Sequence, residues 1–428
     1  MRKFLLWIFL FSFFYSSAQD TLTVLQYNLL NYGNYTSYCT PTNNNYHDKD
    51  GYIRTIVNYV NPDIFTVCEM SSSTDMQQHL LNAALDTLGV TKYKMANFIS
   101  QNTSSDLVNM LYYNSEKLGL AGHTIAQNYI RDVDIYKLYF KSDNLSQGDT
   151  IFLYCVVAHL KASSGSTYEA MRATMASNTM SYLENHKPDN NYLLMGDFNI
   201  YSSSEAAFQD FINYSDPIIR FYDPINEIGD WHSNPAYAAF HTQSTHTTSS
   251  GCASTGGMDD RFDFIMISSN IKNDNKRVHY IPGTYQAVGQ DGKHFNLSLL
   301  DAPADKIVPP DVLNALYNNS DHLPVTMKLQ VDEPLGTNSE TTVDFDIFHF
   351  VNPVNNTFIF TVNSEKALPL KVEIFSILGQ RALMKQFYPA KGFSKFTMDV
   401  SGLPRGLYIV RFTDENRHLS FTRKLLKN

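Results

Sequence analysis

The sequence predicts a layered sandwich of the α/β or α+β class, followed by a small all-β sandwich. Three observations predict it. Strand-like and helical periods are mixed from Thr21 to about Gln330. Hairpins occur among the crossover helices, which argues against a purely parallel sheet. Beyond a polar break near Asp332, only short strands recur.

Leu22 to Tyr27 reads as a strand. Tyr52, Ile53, Ile56, Val57 and Val60 have helical spacing, and Asn61-Pro62 ends that helix. Asp63 to Cys68 is again a strand, Asp75 to Leu88 a helix, and Leu107 to Tyr113 strand-like. Val133 to Phe140 and Ile151 to His159 are long strands joined by a polar turn around Ser142 to Gly148. Tyr168 to Glu184 is a helix. Tyr192 to Met195 and Phe262 to Ile267 are short apolar strands, and Leu323 to Leu329 closes the domain, taken as residues 20–330. The polar stretch Asp332 to Thr342, with Pro334 and Gly336, marks a linker at residues 331–345. Across residues 346–428, five runs alternate as strands: Phe358 to Val362, Lys371 to Ile377, Phe396 to Val400, Leu407 to Phe412 and Ser420 to Leu425. Turn signals at Leu378-Gly379-Gln380 and Pro404-Arg405-Gly406 fit a small β-sandwich.

At 428 residues the chain is long enough for two or three domains. It is 43% hydrophobic and 18% charged, a globular composition able to bury a sizeable core. A formal charge of −9 excludes the basic footprint of a tight, sequence-reading DNA binder. A phosphate substrate stays open, because a bound divalent cation can supply the local positive field. Arg2 and Lys3, the apolar run Phe4 to Phe14, and the small residues Ser16 and Ala18 read as a signal peptide over residues 1–19. The alternative is a buried N-terminal strand or helix. The run is too short to span a bilayer, and no later stretch is apolar enough, so no transmembrane segment is expected in the mature protein. Export permits disulfides. Cys68 and Cys155 lie in apolar runs and are expected to be buried. Cys39 and Cys252 lie in polar loops and can pair, but the four cysteines allow three pairings.

Five segments place polar groups at the ends of apolar strands, where open sheets build sites. They are Gln26-Tyr27-Asn28, Val67-Cys68-Glu69, Val157-Ala158-His159, Gly196-Asp197-Phe198-Asn199 and Ser320-Asp321-His322. A sixth, Arg261-Phe262-Asp263-Phe264-Ile265, sets an aspartate inside an apolar run. In extended chain, Asp197 and Asn199 share one face while Phe198 packs inward, and Gly196 permits close backbone approach. The bland alternative is a turn. Asp321 beside His322 offers a metal ligand next to a general base, or only a polar strand cap. Glu69 ends a buried strand and needs a cation or a salt bridge. His159 follows the same logic. Asp263 either orients a histidine or is a satisfied structural carboxylate. His241 and His246, in a Ser/Thr-rich loop, are expected to be exposed. Asp259-Asp260-Arg261 reads as a solvated turn. Asp291-Gly292-Lys293-His294 reads as a turn with a weak claim to substrate contact. Lys161 is either a phosphate contact or a surface lysine.

Together these segments resemble the endonuclease/exonuclease/phosphatase superfamily, which includes DNase I-like nucleases. The order Asn28, Glu69, His159, Asp197 with Asn199, Asp263, then Asp321-His322 carries the resemblance over Thr21 to Gln330. It implies a four-layered α/β sandwich with its active site at one end of two facing sheets. It implies a catalytic Mg²⁺ (or Mn²⁺) held chiefly by Glu69 and bracketed by Asn28 and Asp321. Asp197 and Asn199 then position water and phosphate. His322 acts as general base oriented by Asp263, and His159 contacts a phosphate oxygen or protonates the leaving group. One departure stands out: relatives carry an arginine on the strand corresponding to Leu107 to Tyr113, or a carboxylate partner for the first histidine. Here only Asp106 and Asn109 are at hand.

The tail resembles the type A sorting domain of type IX secretion, through Asn352-Pro353-Val354, Ile374 to Gln380, Leu403 to Tyr408 and the basic ending Arg423 to Lys427. This implies handling by the type IX machinery, outer-membrane translocation and removal of the tail. A carbohydrate-binding or adhesion sandwich is the competing reading. The expected function is a secreted metal-dependent phosphodiesterase acting on a phosphoester, foremost an endonuclease on DNA or RNA. Its rivals are a sphingomyelinase-like lipid phosphodiesterase, a phosphatase, and a catalytically inactive exported binding protein.

Overall fold

The computed structural model describes residues 19–428 except 103, 143–144, 146–149, 187–189, 249–250, 304–305, 333–344, 351, 365, 368, 378 and 415–418. The expected leader, apart from Gln19, and most of the expected linker lie outside the described residues. The chain divides into two compact units, Met1–Pro334 and Leu335–Asn428.

In the first unit the chain runs β1 (Gln19–Tyr32), α1 (Tyr46–Val60), β2 (Ile64–Ser71), α2 (Thr74–Leu80) with a π turn over Leu81–Leu85, β3 (Tyr93–Met95) and β4 (Leu107–Asn114). It continues with β5 (Leu118–Gln127), β6 (Val133–Phe140), β7 (Phe152–His159), α3 (Ser166–His186), β8 (Asn191–Asp197), α4 (Ala206–Ile212) and β9 (Phe221–Tyr222). The last elements are β10 (Asp263–Ser268), α5 (Ser269–Lys272), β11 (Val278–Tyr280), β12 (Gln286–Ala287), α6 (Pro310–Asn319) and β13 (Val325–Asp332).

Among the described residues the strands form two sheets, ordered β11-β13-β1-β2-β4-β3, with β12 beside β13, and β5-β6-β7-β8-β10-β9. Alternation decides which side chains fill which layer. Leu22, Val24 and Ile64 of one sheet meet Cys155, Val157 and Ile265 of the other in a shared core. On the outer face of the first sheet, Leu25, Phe65 and Tyr112 pack on Ile53, Ile56 and Leu316 of the helices. On the outer face of the second, Val156, Leu194 and Phe264 pack on Met175, Met180 and Phe208. The result is a four-layered α/β/β/α sandwich.

Each sheet centres on a parallel pair, β1–β2 through α1 and β7–β8 through α3, flanked by antiparallel strands. The sequence does not announce β5, because Gly119, Gly122 and His123 break its apolar rhythm. The helix expected over Asp75 to Leu88 is shorter and ends in the π turn. The free cysteines Cys68 and Cys155 are buried, and the structure joins Cys39 to Cys252 across 213 residues of sequence. Closing so long a loop restricts the unfolded chain. Replacing both cysteines with serine is expected to cost about 2–5 kcal/mol, read from urea unfolding under oxidising conditions.

The second unit carries β14 (Phe345–Phe350), β15 (Thr357–Ser364), β16 (Leu370–Ser376), β17 (Arg381–Phe387), β18 (Gly392–Asp399), β19 (Gly406–Asp414) and β20 (Leu419–Lys427). They make sheets β14-β15-β18 and β17-β16-β19-β20, with Phe358, Phe360, Val372, Ile374, Val410 and Phe412 in a common core. β14 begins at the last residue of the expected linker. β17 escaped notice because most of its side chains are exposed and do not alternate.

Candidate active site

Parallel strands bring their carboxyl ends side by side. β1 and β2 therefore carry Asn28 and Glu69 to one end of the sandwich, and β7 and β8 carry His159 and Asp197, which face each other in register. Antiparallel neighbours enter from the same end. β10 starts with Asp263 opposite Asp197, and Asp321-His322 immediately precede the β13 strand that pairs with β1. Sheets pack about 10 Å apart, so both sets of strand ends reach one cluster.

Asn28 is the hub. Its Nδ2 donates to Glu69 Oε1 at 3.1 Å and to Asp197 Oδ2 at 3.0 Å, and lies 3.5 Å from His322 Nε2. Its Oδ1 accepts from Leu30 N at 2.9 Å. The β1–β2 register breaks between Asn28 and Tyr32, where Leu30 (φ 46°), Asn31 (φ 53°) and Glu69 (φ 57°) are left-handed. That bulge aims Glu69 at the cluster, and its Oε2 accepts from Asn31 N at 3.1 Å and Asn31 Nδ2 at 3.2 Å. Beneath it, the buried Lys49 donates to Leu30 O at 3.0 Å and Asn44 Oδ1 at 2.8 Å.

His159 Nε2 stands 3.5 Å from Asp197 Oδ2 and 3.8 Å from Glu69 Oε1. One ligand atom each of Glu69, His159 and Asp197 lies within 4.8 Å of the other two. Asp197 Oδ1 accepts from Asn199 N at 3.0 Å, while Asn199 (φ 52°) turns its Nδ2 to Leu160 O at 3.4 Å. Gly196 (φ 145°) lets β7 and β8 close up here, since a Cβ would meet Ala158 O at 1.8 Å. His322 Nδ1 lies 2.7 Å from Asp263 Oδ2, and its Nε2 lies 2.6 Å from Gln243 Nε2 and 3.7 Å from Asp197 Oδ2. Gln243 Nε2 also reaches Asp321 Oδ2 at 3.4 Å and ties Asp321 to the edge of the cluster. Asp321 Oδ2 accepts from Ser254 N at 2.7 Å, and its buried Oδ1 has no hydrogen-bond partner.

Burial and packed charges tune these groups. Burial first, then Arg131, His322 and Lys161, hold the His159 pKa well below the usual histidine value, so its imidazole is neutral. Burial pushes the Asp197 carboxyl up to about 7, against the pull of His322 and with help from Asp263 and Glu69. Burial disfavours charge on His322, yet the carboxylates of Asp263 and Asp197 outweigh it and raise its pKa well above the usual value.

The second unit contributes no group of three or more His, Cys, Asp or Glu residues able to share a cation, among the described residues. Residues 350–428 match the secretion system C-terminal sorting domain family. This sorting domain spans β15 to β20, and Asn352 and the basic Lys424 lie in contact within it, the Asn352 amide donating to Lys424 O at 3.2 Å. No curated protein matches the chain. Among solved structures it is similar to the human Nocturnin catalytic domain with bound sulfate, at 14% identity, TM-score 0.43, over 73% of this chain and 97% of that one. It is similar to an endonuclease/exonuclease/phosphatase from Beutenbergia cavernae at 12% identity, TM-score 0.40, over 95% and 100%. It is similar also to D. rerio TDP2 complexed with single-strand DNA product at 12% identity, TM-score 0.43, over 72% and 99%.

Several expectations need correction. His241 is fully buried, not exposed, with its ring nitrogens on Trp231 O at 2.9 Å and Met258 O at 3.2 Å, and His246 is half-buried against Tyr317. Arg261 is no solvated turn residue. It is buried in a two-pronged pair with Asp223, at 2.8 and 3.0 Å, over the Phe264 ring. His294 is buried, with its Nδ1 2.8 Å from Asp291 Oδ1. Asn109 spends its amide on Asp134, Asp132 O and Val157 O, and Asp106 is exposed. Sequence reasoning missed Gln243, which touches the cluster from a loop, Asn31, which touches it from the bulge in β1, and Arg131. Arg131 reaches back from the β5–β6 turn to Leu160 O at 2.8 Å.

Proposed function

We propose that this chain is an exported, divalent-metal-dependent phosphodiesterase acting on nucleic acid. The observation that carries it is the convergence of Asn28, Glu69, His159, Asp197 and His322, from both sheets, on one largely buried cluster. A buried carboxylate, Asp197, and a half-buried one, Glu69, facing each other through an amide are costly without a cation. The donor set is hard oxygen with one imidazole, which suits Mg²⁺ or Mn²⁺. Asn28 fits as well, since a flip of its amide offers Oδ1 at the expense of the Leu30 bond. The partnerless Asp321 Oδ1 is a further oxygen for such a site. Bound there, the cation supplies charge neutralisation at the phosphate oxygens.

The chain's own groups do the rest. Glu69 and Asn28 would hold the cation, with Asp321 bracketing it. Asp197 and Asn199 position the attacking water and the phosphate. His322 takes the water's proton at Nε2 while Asp263 holds Nδ1. The neutral His159 donates to a phosphate oxygen. Beside it lie Arg131 and Lys161, the latter over the Tyr168 ring at 4.7 Å. Cations for the backbone and a ring for a base favour a nucleic-acid strand over a lipid headgroup. The sorting domain supports export by type IX secretion with later removal of that domain. Among the described residues, no helix is long and apolar enough to cross a membrane.

The test is turnover by the purified chain on plasmid DNA, RNA, sphingomyelin and a phosphomonoester, each with Mg²⁺ and with EDTA. EDTA-sensitive nicking of DNA or RNA is expected. Choline-phosphate release alone, or phosphomonoester cleavage alone, reassigns the substrate, and no turnover at all favours a binding role.

A pH effect follows from Asp197. Its folded pKa, about 7, exceeds the ordinary 3.8. The folded carboxyl thus keeps its proton where the unfolded one has lost it, and stability falls as pH rises across that window. Thermal melts of the metal-free protein, compared with Asp197→Asn, should show this decline from about pH 4 to 7, and saturating Mg²⁺ should suppress it.

A further inference from the structure

A second cluster lies away from the site, where α1 begins and α2 ends. Asp50, from α1, is buried. Its Oδ1 accepts from the Tyr32 hydroxyl, and its Oδ2 faces two imidazoles, His79 Nε2 at 2.8 Å and His47 Nδ1 at 3.9 Å. One ligand atom from each of the three lies within 4.8 Å of the others. The two imidazole rings stand 5.6 Å apart and nearly perpendicular, and Tyr46 packs against both.

An Asp50–His79 ion pair alone accounts for His79 but not for His47. The His47 side chain is 64% exposed and free to point into water, yet turns its Nδ1 toward the same carboxylate oxygen. Two imidazole nitrogens and one carboxylate oxygen within 4.8 Å of one another, with His47 open to solvent, are the kind of donor set that Zn²⁺ takes from protein, leaving a position for water. The Tyr32 hydroxyl fixes the carboxylate from behind, as outer partners of metal ligands do. Two other groups, His232 with Asp259 and Asp260, and Asp274 with His279 and Asp332, offer one imidazole each and are more acidic, so they are poorer for a borderline metal.

We infer that His47, Asp50 and His79 form a Zn²⁺ site that clasps the start of α1 to the end of α2, distinct from the catalytic cluster. The test is calorimetric titration of the metal-stripped full chain with Zn²⁺. The wild type should bind one equivalent more than the His47→Ala/His79→Ala variant. Tyr32→Phe should keep that equivalent but bind it about 10- to 100-fold more weakly. Zn²⁺ should raise the melting temperature of the wild type more than that of the double variant, while Mg²⁺-supported turnover of the double variant stays at the wild-type level. Equal stoichiometry and affinity in wild type and double variant would overturn the assignment, as would a wild type that binds no zinc. Because His47 is exposed, His47→Ala alone leaves the fold intact and reports the loss should the double variant prove unstable.

Discussion

Glu69→Ala is expected to lose about 10³-fold or more in turnover, because a metal-supported transition state draws several kcal/mol from the bound charge. The fold should survive, since the side chain is partly exposed at a strand end. The backbone supplies a sharper form of the test. Glu69 has φ 57°, a conformation that costs a residue with a Cβ about 1–2 kcal/mol and costs glycine little. Glu69→Gly should therefore be as inactive as Glu69→Ala but about 1 kcal/mol more stable, measured by denaturant unfolding. Equal activity in wild type and both variants would remove Glu69 from the mechanism. The left-handed backbone at Leu30, Asn31, Glu69 and Asn199 is strain kept where it aims polar groups.

His322→Ala is expected to cost about 10²–10⁴-fold in rate as the general base is lost. It should also unfold more easily, unlike Glu69→Ala. Asp263 is fully buried, and among the described residues its Oδ2 hydrogen-bonds only the His322 ring and its Oδ1 has no hydrogen-bond partner. Deleting the imidazole strands a buried carboxylate, at about 3–5 kcal/mol. The double variant His322→Ala/Asp263→Ala should recover most of that stability and none of the rate. A double-mutant cycle in both unfolding and turnover checks this separation. A double variant that regains activity would place the proton acceptor elsewhere.

Much of this was legible in the sequence for one physical reason. Apolar runs broken by a polar residue at Asn28, Glu69, His159 and Asp197 mark the carboxyl-terminal parts of strands, and parallel pairing gathers those parts. Asp263 was legible because a carboxylate between Phe262 and Phe264 demands a partner. What the sequence hides depends on bulges and on chain outside regular elements. Gln243 reaches His322, Asn31 reaches Glu69 and Arg131 reaches the His159 strand from bulges and turns whose paths no periodicity encodes. His241 reads as exposed because its neighbours are Ser and Thr, yet its ring lies between the carbonyls of Trp231 and Met258, and an N–H bonded to backbone allows it to sink. The same loop region is pinned by Cys39–Cys252, a pairing that the sequence left among three. α6 was overlooked although Val312, Ala315 and Leu316 have helical spacing, because Pro309-Pro310 resembles a loop rather than a helix start.

The most direct measurement is anomalous diffraction from a crystal of the full chain soaked in Mn²⁺. The account predicts a peak within bonding distance of Glu69 and close to Asp197 and Asn28, absent from Glu69→Ala crystals. A fully occupied Mn²⁺ elsewhere, with these side chains still joined only through the Asn28 amide, would contradict it.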